Sequence, residues 1–172
     1  MSDFVVPTGR EDGLPQLALL TGDAIGLEGD PVCETARRIH ESDENASSER
    51  AWIEHDCADP SQLHESRTFV GEYMEVFPGH YHRYLGLFEQ VRGGTLFLRR
   101  VEFLGRAAQR TLATVLEQRF FSPLRGTEPR PYEATTLITV AEDLSAPELD
   151  DLLDPDLRRQ MAAAPVHSSV LL

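Results

Sequence analysis

A parallel α/β sheet covered by helices on both faces is the fold class that this sequence predicts. Short apolar runs recur along the chain, at 16–20, 51–55, 95–98 and 134–141, and runs of that length bounded by turn residues read as buried strands. Segments of helical character lie between them, and regular alternation of the two types implies parallel strands joined by crossover helices. At 172 residues the chain is long enough to bury a sizeable core as one domain.

Residues 1–15 are polar and punctuated by Gly and Pro, and are expected to be a loose lead-in to a domain spanning 16–172. The run 16–20 ends at Thr21-Gly22, and a loop over 23–30 follows it. Pro31 suits the first turn of a helix, which residues 32–40 continue. Residues 42–49 read as a surface loop, 51–55 as the second strand and 60–66 as a short helix. Residues 69–85 are aromatic-rich and broken by Pro78 and Gly79, so they read as a long loop or hairpin. Thr95-Leu96-Phe97-Leu98 is the third strand. Ala108, Leu112, Val115 and Leu116 recur at helical spacing within 105–118. A turn at 125–127, a fourth strand over 134–141, short helices over 147–153 and 156–163 and a fifth strand near 165–167 complete the pattern.

The formal net charge of −13 argues against unaided binding to nucleic acid or to an anionic membrane. No apolar run approaches the ~20 residues that span a bilayer. The N-terminus has no charged start followed by an apolar core, so no signal peptide is read there. Two cysteines, Cys33 and Cys57, make no disulfide framework, and a cytoplasmic location is the expectation. All 16 basic residues are arginine, leaving no lysine to cradle a phosphate.

Several short motifs in order resemble one family. Ala36-Arg37-Arg38-Ile39-His40 is similar to an A-R-x-I-H helix, and Asp56-Cys57-Ala58 to N-C-A after a second strand. His64-Glu65-Ser66 through Phe69-Val70-Gly71 is similar to L-E-S-E-L-F-G. Gly86-Leu87-Phe88-Glu89-Gln90 with Gly93-Gly94-Thr95-Leu96-Phe97-Leu98 resembles G-x-F-E-x-A-x-G-G-T-L-F-L, and Gly126-Thr127-Glu128-Pro129 resembles G-T-x-P. Together they resemble the central AAA+ domain of the sigma-54-dependent transcription activators, from about Leu17 onward. The resemblance implies a P-loop NTPase-like sheet. The chain stops near the family's fifth strand, so the expectation is a degenerate domain without helical lid, receiver or helix-turn-helix.

Carried over residue by residue, the family's nucleotide site is altered throughout. The phosphate loop falls on Gly22-Asp23-Ala24-Ile25-Gly26-Leu27-Glu28-Gly29-Asp30-Pro31, with the lysine position near Asp30 to Val32. A working loop offers backbone N–H groups and a lysine to phosphate, whereas Pro31 has no N–H and Asp23, Glu28 and Asp30 repel an anion. One like-charge pair at ~4 Å costs about 4 kcal/mol at an effective dielectric of ~20. Arg99 and Arg100 fall on the family's D-E pair, which holds Mg²⁺ and orients water. Arginine does neither, and an ion pair from Arg99 to Asp23 or Glu28 is the structural alternative. Ala141 falls on the sensor asparagine, and Asp154 and Gln160 on the two arginine-finger positions; Arg158 or Arg159 are the possible substitutes. The sigma-contact loop G-A-F-T-G-A becomes Glu75-Val76-Phe77-Pro78-Gly79-His80. Phe77 there is either an interface anchor or, the favoured expectation, buried in its own loop.

His80 and His82, with His55 and His64, raise a metal reading, but a spacing of two on a loop is weak and no metal or other cofactor is assigned. Cys33 and Cys57 read as small buried residues. No catalytic residue is assigned. The expected function is a pseudo-ATPase domain acting through protein contacts in transcription regulation, its partner an intact AAA+ activator or sigma-54, with Phe77, Pro78 and Gly79 as the candidate contact. The alternatives are a weak ATP-binding protein or ATPase of the same pathway, or a scaffold module for an unrelated partner.

Overall fold

The computed structural model describes residues 17–21, 30–42, 50–141 and 146–168. The elements run β1 (Leu17–Thr21), α1 (Pro31–Ser42), β2 (Trp52–Asp56), α2 (Ser66–Val70), β3 (Glu72–Phe77), β4 (His80–Tyr84), α3 (Leu87–Gln90), β5 (Thr95–Arg99), α4 (Arg106–Gln118), β6 (Phe120–Phe121), β7 (Arg130–Pro131), β8 (Thr135–Thr139), α5 (Ala146–Leu152), α6 (Pro155–Ala163) and β9 (Val166–Ser168). A 3₁₀ turn, Val101–Phe103, follows β5.

Five strands form one sheet in the order β2-β5-β8-β1-β9, and every neighbouring pair is parallel. Burial on both faces explains why β5 reads as an uninterrupted apolar run. Its alternate residues serve two cores. Phe97 joins Leu20, Val32, Ala36, Ile39 and Leu137 beneath α1. Leu96 and Leu98 face the larger core, which holds Leu112, Val115 and Leu116 of α4 and Leu157 and Met161 of α6. The apolar stripe predicted for α4 is therefore its core face. That face also buries Gln109, whose amide N–H groups donate to Leu104 O at 2.7 Å and Leu152 O at 3.1 Å. Its oxygen accepts from Asp154 N at 2.6 Å. One polar side chain thus satisfies the backbone of the α5–α6 junction, where unpaired groups would be costly.

Two expectations are corrected. No helix forms over 60–66: residues 60–65 are turns and bends, and α2 starts at Ser66. The Asp59 carboxylate accepts from Ser61 N (2.8 Å), Ser61 Oγ (2.7 Å) and Gln62 Nε2 (3.0 Å), holding the chain in a local turn that competes with helix. Of the long loop or hairpin expected over 69–85, the hairpin forms: the segment holds the end of α2 and the antiparallel pair β3–β4, which turns at Pro78-Gly79. The fourth strand is shorter than expected at both ends, Thr135–Thr139 instead of 134–141. The proposed lead-in, 1–15, lies outside the described residues.

The hairpin is fastened at its root. Gly71 and Gly86 cross so closely that a Cβ on Gly86 would stand 2.3 Å from both Phe69 O and Gly71 N. Gly71 also has a positive φ of 80°. Glu89 of α3 accepts from Arg83 of β4 and from Arg130 of β7, and Arg130 donates to the Tyr73 hydroxyl at 3.2 Å. Both strands are thereby tied to the body of the domain, while Phe77 at the tip is 70% exposed.

Gly86→Ala is expected to destabilise the fold by about 3 kcal/mol, because the clash is with backbone that cannot move aside. Gly79→Ala at the open hairpin tip is expected to cost only the left-handed penalty of about 1–2 kcal/mol. Urea unfolding of the two variants checks the ordering.

Candidate functional site

Of the residues singled out from the sequence, the carboxyl ends of β5 and β8 carry Arg99, Arg100 and Ala141, next to the end of β2, at the edge where open α/β sheets bind ligands. Asp56 ends β2 and is the register partner of Arg99 at the end of β5. Arg100 follows in the left-handed conformation (φ 55°, ψ 55°), which turns the chain from β5 into the 3₁₀ turn. Its N–H donates to Thr139 Oγ1 of β8 at 3.0 Å. A non-glycine residue held in this region is strained and persists where its surroundings fix it.

The arginine side chains converge on one carboxylate. Arg100 grips Asp56 with two nitrogens: Nε donates to Oδ1 at 3.1 Å and Nη2 donates to Oδ2. Arg99 stands on the other side, Nη2 3.4 Å from Asp56 Oδ2 and Nε 2.9 Å from Glu54 Oε1. The side chains of Arg99 and Asp56 are each 12% exposed, so this pairing is largely withdrawn from solvent. Asp56 Oδ1 also accepts from Ala58 N at 3.0 Å. Burial opposes ionisation of Asp56, but the Arg100 hydrogen bond, the Ala58 N–H and the charges of Arg99 and Arg100 outweigh it and hold its carboxyl below the usual range.

A second carboxylate occupies the start of α1. Asp30 Oδ1 accepts from Val32 N at 2.9 Å and weakly from Cys33 N at 3.5 Å. This is an N-cap, with Pro31 in the first turn. The helix end therefore directs its N–H groups at an internal anion. Cys33 marks how near the two charge groups lie. Burial pushes its thiol up to about 11, with Asp30 and Glu54 adding to the rise and Arg99 and Arg37 opposing it.

The remaining candidates make contacts within the fold. Ala141 N donates to Glu102 Oε1 at 2.9 Å. Asp154 is 2% exposed, caps α6 through Asp156 N at 3.1 Å and pairs with Arg110 at 3.3 Å. Gln160 Nε2 donates to Ala113 O of α4 at 2.8 Å. Arg158 pairs with Asp150, and Arg159 with Glu117 and Asp156. The buried His55 is held neutral, its pKa pushed down to about 4 by burial and by His64. Gly22, Asp23, Gly26 and Gly29 lie outside the described residues, as does Glu28.

The described partners of Arg99 are Glu54 and Asp56 of the adjacent strand; the expected ion pair to Asp23 or Glu28 falls on residues outside those described. One expectation changes. Phe77 is exposed, not buried in its own loop, because the segment is a two-stranded ribbon and Phe77 lies at its tip, where no described residue covers it. Sequence reasoning missed Glu54 and Asp56 as the arginines' partners. The available signal was register: strands 51–55 and 95–98, once paired in parallel, set Asp56 beside Arg99.

Residues 25–167 match the sigma-54 interaction domain. The chain belongs to this family. Its members are AAA+ ATPases, and the sheet has the AAA+ P-loop NTPase-like fold. The chain is similar to the hydrogenase transcriptional regulatory protein HoxA of Bradyrhizobium diazoefficiens, 34% identical over 137 residues, 79% of this chain and 28% of that protein. It is similar also to the DNA-binding transcriptional regulator NtrC of Azospirillum brasilense, 30% identical over 111 residues, 64% of this chain and 23% of that one. The chain thus spans less than a third of the length of these relatives. NtrX of Brucella abortus superposes with a TM-score of 0.69 at 20% identity, covering 98% of this chain and 34% of NtrX. No described helix is long and apolar enough to cross a membrane.

Asp56→Asn is expected to remove about 3 kcal/mol at neutral pH, because it takes away the carboxylate that Arg99 and Arg100 share, while Glu54 remains on Arg99. The wild-type contribution is complete above the ordinary carboxylate pKa of about 4 and is lost as pH falls through the depressed value of the folded state. The stability difference between wild type and variant, from urea unfolding at neutral pH and near pH 3, is expected to shrink on acidification.

Proposed function

We propose that this domain is a pseudo-ATPase of the sigma-54 pathway that acts by protein contact, docking on an intact AAA+ activator or on sigma-54. The observation that carries this reading is the clasp of Arg99 and Arg100 on Asp56. A Mg²⁺-dependent ATPase needs carboxylate or water oxygen free to meet the metal at the strand ends. Here the available carboxylate already neutralises two fixed cations, and neither cation can ligate a metal or take a proton. Two further features support it: the chain has no lysine to meet a β/γ-phosphate, and Asp30 supplies an internal anion to the helix end. The degenerate-site assignment of Gly22, Asp23, Gly26, Gly29, Arg99, Arg100 and Ala141 belongs to this proposal.

The contact reading rests on the hairpin. Phe77, Val76 and Tyr81 are 70%, 53% and 66% exposed on a ribbon braced at its base. Exposed aromatics on a rigid support are the side chains that anchor protein interfaces. The net charge of −13 leaves nucleic acid an unfavourable partner.

Calorimetric titration with ATP and Mg²⁺ is expected to show no binding up to ~1 mM, and saturable Mg²⁺-dependent binding with micromolar Kd rejects the pseudo-ATPase. Capture of purified sigma-54 or of an intact activator by the tagged domain is expected, and Phe77→Ala is expected to weaken it about tenfold or more. Failure of both proteins to bind removes the role in transcription.

A further inference from the structure

The hairpin carries a motif that this function does not use. His80 and His82 lie two residues apart on β4. On a loop that spacing fixes no relative direction, but on a strand it does. Alternate residues project from the same face, their Cα atoms about 6.6–6.8 Å apart, close enough for two imidazoles to meet one ion at Zn–N or similar distances of about 2.0–2.1 Å. Met74 of β3 is the register partner of His82 and so stands directly opposite on that face. All three side chains are exposed. Neither imidazole makes a hydrogen bond, ion pair or ring contact among the described residues, so their nitrogens face solvent.

The other close histidine pair differs in this respect. His55 Nε2 and His64 Nδ1 share a hydrogen bond at 3.1 Å, and His64 Nε2 donates to Asp59 O at 2.7 Å. Those nitrogens are committed within the fold. Among the described residues no three of His, Cys, Asp and Glu converge on a metal position, and the third donor available at the hairpin is a thioether. Glu75 supplies nothing there. Its partner is Tyr81, on the opposite face, and its carboxylate accepts from Gly79 N at 2.8 Å.

We propose that His80, His82 and Met74 form a surface site for copper, with the remaining positions filled by water. Two imidazoles suit several late first-row ions, and Cu²⁺ heads their affinity order. A soft thioether beside them favours copper further, Cu⁺ above all. The site is independent of the nucleotide cleft and lies next to Phe77, the register partner of His80. Bound metal would fasten the tip of the ribbon beside its exposed aromatic.

Titration of the purified protein with Cu²⁺ at neutral pH, followed by calorimetry and electron paramagnetic resonance, tests this. One equivalent is expected to bind with a Kd of ~1–10 µM, with splitting from two nitrogens. His80→Ala and His82→Ala are each expected to weaken it about tenfold or more, with unchanged circular dichroism because both residues are exposed, whereas His64→Ala leaves it unaltered. Met74→Leu is expected to spare Cu²⁺ and weaken Cu⁺, measured by competition with a chromogenic chelator. A His80→Ala/His82→Ala double variant that keeps wild-type Cu²⁺ affinity overturns the site. Equal Cu⁺ affinity in Met74→Leu overturns the thioether's part in it.

Discussion

Two guanidiniums at successive positions, Arg99 and Arg100, stand at the end of a central strand, and the fold depends on what neutralises them. Two like charges at ~4 Å repel by about 4 kcal/mol at an effective dielectric of ~20, enough to move an unpartnered side chain into water. Neither arginine moves out, because Asp56 ends the neighbouring strand in register with Arg99 and presents both oxygens. The parallel pairing of β2 with β5 is thus the geometric condition for the charge balance. In turn the charge balance holds Arg100 in a left-handed conformation that redirects the chain into the 3₁₀ turn and the start of α4. Thr139 secures the same residue from the other side, so three strands share one polar closure.

That closure bears on nucleotide chemistry. An internal ion pair holds its partner at an effective concentration that a dissolved ion must overcome, and breaking it exposes a largely buried charge. A nucleotide–metal complex would have to displace Arg100 from Asp56 and then bring its own metal beside two arginines. Asp30 poses the same problem at α1, since an incoming phosphate would meet a carboxylate already bonded to the first N–H groups. Among the described residues, Asp56 and Asp30 are each satisfied from within the fold, which is the physical basis of the proposed pseudo-ATPase reading.

The sheet was readable because its strands are short apolar runs. Residues 96–98 have no polar member, and burial on both faces is the condition that produces such a run. The stripe of α4 was readable for a related reason: Leu112 and Leu116 are one turn apart on a helix buried along one side. What escaped was decided by contacts distant in sequence. Nothing near Arg100 names Asp56, 44 residues earlier, as its partner. Gln109 looks polar and surface-bound until α5 and α6 bring Leu152 O and Asp154 N to it. The aromatic segment after α2 left loop and hairpin both open because an exposed two-stranded ribbon has no buried face to impose a period, and Val76 falls at an irregularity in its register.

The hairpin carries the strongest argument for a partner. Burying a Phe side chain is worth about 1.5–3 kcal/mol, and at Phe77 that stabilisation is left unrealised within the chain. A flexible tip could fold its aromatic back onto the domain, but this one is prevented. The Gly71–Gly86 crossing leaves no room to pivot, and Glu89 holds Arg83 and Arg130 across the base. Two charged side chains of the body, Glu89 and Arg130, together with Arg83 of the ribbon thus keep the ribbon extended. Rigid support lowers the entropy lost when a surface is covered, so the same brace that denies Phe77 an internal site supports the proposal of an external one.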